Sequence, residues 1–152
     1  MSAPRGGNKV PDRRSGQSLV EFSLMAVLTT LVLLFVVETC RMVLVYAAVA
    51  NAAREGVRYA IVHGSTRATG SAQNDASGPS SNPAQVTTVI DDFAGTGPLT
   101  VSRLVISVSY PGSSNAPGQT VNVSVVYPYD PLITYFTGTL RLVSVAQGVI
   151  LF

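Results

Sequence analysis

Histidine and cysteine occur once each in the 152 residues, and charged side chains make up only 12%. Each scarcity removes a class of function. A single cysteine, Cys40, closes no intramolecular disulfide; at the outer edge of an apolar run it reads as a small buried hydrophobe, with intermolecular pairing or lipidation as the alternatives. With His63 the sole imidazole and no cysteine cluster, the usual nitrogen and sulfur ligands of zinc are missing. A Ser-His-Asp hydrolase would have to use that same His63, yet no Gly-x-Ser-x-Gly elbow occurs. A P-loop and a GxGxxG turn are lacking as well. Asp91 and Asp92 are adjacent, so on a helix they point in different directions and read as a solvated face. No catalytic, metal or cofactor site is expected.

Basic charge is scarce beyond the N-terminus. Arg5, Lys9, Arg13 and Arg14 lie in residues 1–16 against one acid, Asp12, whereas residues 17–152 carry six arginines against seven acids. The pI near 8.9 is therefore a property of the leader and gives no footprint for nucleic acid. Under the positive-inside rule this cluster marks the cytoplasmic side, with the rest of the chain outside.

What the sequence does have is one long apolar run. From Phe22 to Val37 there is no ionisable side chain, and eleven of the residues are Leu, Val or Phe. Nineteen helical residues counted from Leu19 give roughly 28 Å, close to a hydrocarbon core of about 30 Å. At roughly −0.3 to −0.6 kcal/mol each, the eleven favour insertion by several kcal/mol. A hydrophobic content of 47% is unusual for a soluble domain, and this run accounts for much of it. It is longer than a signal-peptide core and no small-x-small site follows it before Glu38, so it reads as a retained anchor spanning residues 19–37.

The helix is expected to run on. Neither Gly nor Pro occurs from Gln17 to Asn51, and the first strong stop is His63-Gly64. Met42, Tyr46, Val49, Ala53, Val57 and Ala60 recur at i+3 or i+4, while Asn51, Arg54, Glu55 and Arg58 mark another face. One helix over residues 17–63 is predicted, apolar all round in its first half and amphipathic in its second.

Residues 64–85 contain no Val, Ile, Leu, Met, Phe, Tyr or Trp and read as a loop. Asn82-Pro83 suits an N-cap with proline at N1, and Val86, Val89, Ile90 and Phe93 at helical spacing predict a short helix over 83–94. Alternation then predicts strands: Leu104, Ile106, Val108 and Tyr110, followed after an open loop by Val121, Val123, Val125 and Tyr127. Pro128 and Pro131 are expected to break the second strand. Residues 139–152 form a third, with muddled alternation around Ser144 and Gly148. The fold class is α+β: a long helix whose amphipathic half, through Val49, Ala53 and Val57, covers a small antiparallel sheet. Its divisions are a leader at 1–16, the helix at 17–63, the loop at 64–85 and an extracytoplasmic domain at 86–152.

Glu21 is out of place in this account. A carboxylate inside a spanning segment costs up to about 2.5 to 3.5 kcal/mol at mid-bilayer and less near the edge. Either it sits in the interface near the positive helix N-terminus, or it has a partner.

Gly16-Gln17-Ser18-Leu19-Val20-Glu21-Phe22 resembles the processing motif of type IVb prepilins of the tight-adherence (Tad) class, a Gly, four residues, then Glu-Phe. The continuation through Glu38, Arg41 and Asn51-Ala52-Ala53-Arg54-Glu55-Gly56-Val57-Arg58-Tyr59-Ala60 resembles the TadE-like pseudopilin family. More loosely, Tyr127-Pro128-Tyr129-Asp130-Pro131-Leu132 is similar to that family's C-terminal proline pattern. The resemblance implies a minor pilin-like component of the Tad (Flp) pilus or secretion machine in the inner membrane. It implies cleavage between Gly16 and Gln17 by a prepilin peptidase, with Glu21 and Phe22 as recognition and assembly residues. The implied partners are the membrane, the peptidase, a major Flp-type pilin, a sister pseudopilin and inner-membrane platform proteins. The alternatives are a membrane-tethered adhesin and, third, a membrane-anchored enzyme.

Overall fold

The computed structural model describes residues 13–65, 83–132 and 138–151, with side chains from residue 16 onward. Arg5 and Lys9 of the expected leader and all but the ends of the expected 64–85 loop lie outside the described residues. Helix α1 spans Arg13–Val62, starting four residues before Gln17, where the sequence reading begins it. The last proline before it is Pro11, and one glycine at position 16 costs only about 1 kcal/mol in a helix, too little to stop growth from a long apolar body.

The chain divides into two compact units, Met1–Val37 and Glu38–Phe152. In the first, every described side chain of residues 16–37 is exposed. Among the described residues this is the one helix long and apolar enough to cross a membrane. Its hydroxyls suit that medium. Ser23, Thr29 and Thr30 donate to the carbonyls of Leu19, Met25 and Ala26, four residues back, so no hydroxyl there needs water.

The second unit is built on an antiparallel sheet in the order β1 (Val105–Ser109), β2 (Thr120–Tyr129), β3 (Leu140–Val149). Alternation places Val121, Val123, Val125, Tyr127 and Tyr129 of β2 inside. The second half of α1 packs into the same core through Val45, Val49, Ala52, Ala53, Val57 and Ala60, and helix α2 (Ala84–Gly95) adds Val86, Ile90 and Ala94. Tyr46, placed on the apolar face by the sequence reading, is 49% exposed; the buried ridge runs 45, 49, 53, 57, so the reading misses by one position there and holds at Val49, Ala53 and Val57.

Two further expectations are corrected. Strand β2 does not break at Pro128 but continues to Tyr129, with Pro128 opposite Arg141. β1 pairs only as far as Val126, so Pro128 lies where β2 has a free edge, and the missing N–H costs no bond on that side. In α2, Pro83 is the N-cap rather than N1: its carbonyl accepts from the amides of Val86 and Thr87.

The muddled alternation of β3 has a steric cause. Its inner face carries Leu142, Ser144, Ala146 and Gly148, while Val143, Val145 and Val149 face outward. A Cβ on Gly148 would stand 2.5 Å from Ile61 Cδ1 and 2.7 Å from Val57 Cγ1, so α1 lies too close for anything larger. On α1 itself, a Cβ on Gly56 would stand 2.5 Å from Ile90 Cδ1 of α2. Close approach, not hydrophobicity, decides these positions.

Candidate functional site

Two groups of residues carry the chemistry, one in each unit. In the first unit, Gly16, Gln17, Glu21 and Phe22 follow one another on the exposed part of α1. A Cβ built on Gly16 meets nothing within 4 Å, so its lack of a side chain has no packing reason within the chain. Phe22 is 74% exposed, and among the described residues the Glu21 carboxylate has no ion-pair or hydrogen-bond partner. An uncompensated carboxylate on an otherwise apolar surface is stable in water but costly in hydrocarbon. As folded, this apolar surface is open to lipid or to neighbouring helices.

Val49, Ala53 and Val57 are not part of that surface. They are buried in the second unit with Val108, Val121, Val123 and Val125.

The second group was not legible as a site beforehand. Glu38 accepts a 2.5 Å hydrogen bond from Tyr129 Oη and a 3.3 Å bond from the amide of Leu132. Arg41, one turn on, places Nη1 3.9 Å from the same carboxylate and its guanidinium 5.3 Å from the Tyr129 ring centre. Beside it, Arg103 makes a 2.7 Å ion pair with Asp130 and lies 5.7 Å from the Tyr127 ring centre. The clasp joins residues 91 positions apart, which no local pattern announces. The available signal was Glu38 itself, the first ionisable residue after the apolar run, set against the tyrosine-proline cluster.

Burial, with the Glu38 carboxylate accepting its proton, pushes the Tyr129 phenol above its ordinary range. A group whose folded pKa is raised contributes stability that is complete below its unfolded pKa, near 10, and is lost as pH rises through the higher folded value. Tyr129→Phe should therefore flatten the alkaline limb of the stability profile. At neutral pH it should cost about 1.5 to 3 kcal/mol, the range for a hydrogen bond to a charged group. Thermal unfolding of the detergent-extracted chain from pH 7 to 11 measures both; identical profiles for the two proteins would dissolve the clasp.

Residues 16–58 match the family model described as TadE-like protein. The match takes in Gly16, Glu21, Glu38, Arg41 and the buried Ala52, Ala53 and Gly56, and stops before α2 and the sheet. It is the family that the glycine-to-Glu-Phe motif and the small-residue segment resemble. TadE-like proteins are a Tad pilus-associated family, structural in kind. No curated protein and no solved structure matches the chain.

Proposed function

We propose that this chain is a pseudopilin, a minor pilin-like structural component of the Tad pilus assembly or secretion machinery. It is a single-pass protein of the cytoplasmic membrane with its N-terminus inside and its sheet domain outside. A prepilin peptidase removes residues 1–16, and the exposed helix then packs in the membrane against a major pilin, a sister pseudopilin or the platform proteins. The observation that carries this reading is residues 16–37: a fully exposed apolar helix bearing one carboxylate with no partner among the described residues, inside the TadE-like match. The open surroundings of Gly16 support it too, since a residue without a side chain fits a tight peptidase cleft and has no packing role here.

The test is the mature N-terminus. Mass spectrometry of the membrane-extracted chain from a host with an active peptidase should begin at Gln17, and Gly16→Val should retain Met1 to Gly16. Native protein that keeps its leader in that host would end the pseudopilin reading while leaving the anchor intact.

A further inference from the structure

The clasp has a consequence for where the sheet domain stands. Glu38 directly follows the exposed apolar run, so it lies at the bilayer surface when that run is in hydrocarbon. Tyr129 and the amide of Leu132 bond to the Glu38 side chain. The far end of β2 is thereby tied to the first residue after that run.

The chemistry of that end fits the location. Leu132 is 67% exposed, and Leu140, opposite Tyr129 in the ladder, is also exposed. Around them stand Arg41, Arg103 and Arg141, the last exposed and opposite Pro128. Arg41 lies against Glu38 and Arg103 against Asp130, so the three arginines outnumber the two carboxylates by one. Exposed leucines among arginines and tyrosines are what an interfacial contact needs: apolar tips for the acyl boundary, guanidinium groups for phosphates.

We propose that the β2–β3 end of the domain, through Leu132, Leu140 and Arg141 with Arg41 and Arg103, is a second membrane contact that docks on an anionic phospholipid surface. The inference rests on α1 spanning the membrane and not on the pilus reading.

The chain contains no tryptophan, so single replacements report one position each. The full chain is reconstituted alone in phosphatidylglycerol–phosphatidylcholine vesicles with brominated acyl chains, carrying Leu28→Trp in the span, Leu132→Trp, Leu140→Trp, or Ser113→Trp in the exposed β1–β2 turn. Leu28→Trp should lose most of its fluorescence. Leu132→Trp and Leu140→Trp should be strongly quenched and shifted to shorter wavelength relative to Ser113→Trp, which should emit as in water. Adding Arg141→Glu to Leu140→Trp should reduce the quenching. If Leu132→Trp and Leu140→Trp emit like Ser113→Trp while Leu28→Trp is quenched, the docking surface is refuted and the span stands. Failure of Leu28→Trp as well would remove the span and the docking together. Quenching that ignores Arg141→Glu would overturn the assignment to anionic headgroups.

Discussion

Val57→Asp should unfold most of the second unit. Val57 is 5% exposed, and its Cγ1 lies 2.7 Å from where a Cβ on Gly148 would stand, so an aspartate there has β3 against it. Val57 belongs to the hydrophobic core cluster, with Ala53 and Ala60 on its own helix face. An unpaired carboxylate in such a place costs several kcal/mol, a large part of the roughly 5 to 15 kcal/mol that holds a domain together. Arg54 gives the matched control. It is exposed and holds only a 3.3 Å bond to Asn51 Oδ1, so Arg54→Ala should stay within about 0.5 kcal/mol of wild type. Limited proteolysis and thermal unfolding of the extracted chain compare the three proteins. Wild-type resistance in Val57→Asp would mean that helix and sheet are not packed against one another.

The elements that can be read from the sequence are those whose pattern is local. The apolar run, the amphipathic continuation through Val49, Ala53 and Val57, and the alternation of β2 each follow from one period repeated over many residues. Two elements resist for opposite reasons. β3 turns its valines outward because Gly148, Ser144 and Ala146 leave room for α1, so hydrophobicity points to the wrong face. β2 crosses Pro128 because β1 has already ended, a fact about a neighbouring strand that no window around the proline contains. The candidate site divides in the same way. Gly16 to Phe22 is contiguous and readable, whereas the Glu38–Tyr129 clasp exists only after folding brings its ends together.

Glu21→Gln should be made, inserted and cleaved like the native protein, then fail to recover its partners. The amide removes the charge at nearly constant volume, so insertion becomes easier if anything. On the proposed reading, cleavage after Gly16 would create an ammonium on Gln17, four residues before Glu21 and on the same helix face. In hydrocarbon an unpaired carboxylate is expensive, and an ammonium partner removes much of that cost. Pairing within the chain would leave assembly indifferent to the change, and pairing with a neighbouring subunit would not. A charge-assisted hydrogen bond of about 1.5 to 3 kcal/mol corresponds to about a tenfold to hundredfold loss in cross-linked or co-purified major pilin and sister pseudopilin. Undiminished recovery would make Glu21 an interfacial acid that favours the helix N-terminus and nothing more.

The two glycine contacts described in the fold tie positions far apart in the chain into shared allotments of space. Residue 56 has no volume to give because Ile90 occupies it, and residue 148 has none because Ile61 and Val57 do. An added methyl at either position requires a shorter side chain opposite, since a dense interior has nowhere else to put it. Along the lineage of this domain, therefore, 56 and 90 are not free to drift separately, nor are 148 and 61. Each pair evolves as one quantity, the sum of two sizes, and the distance between α1 and the layers around it is what that sum preserves.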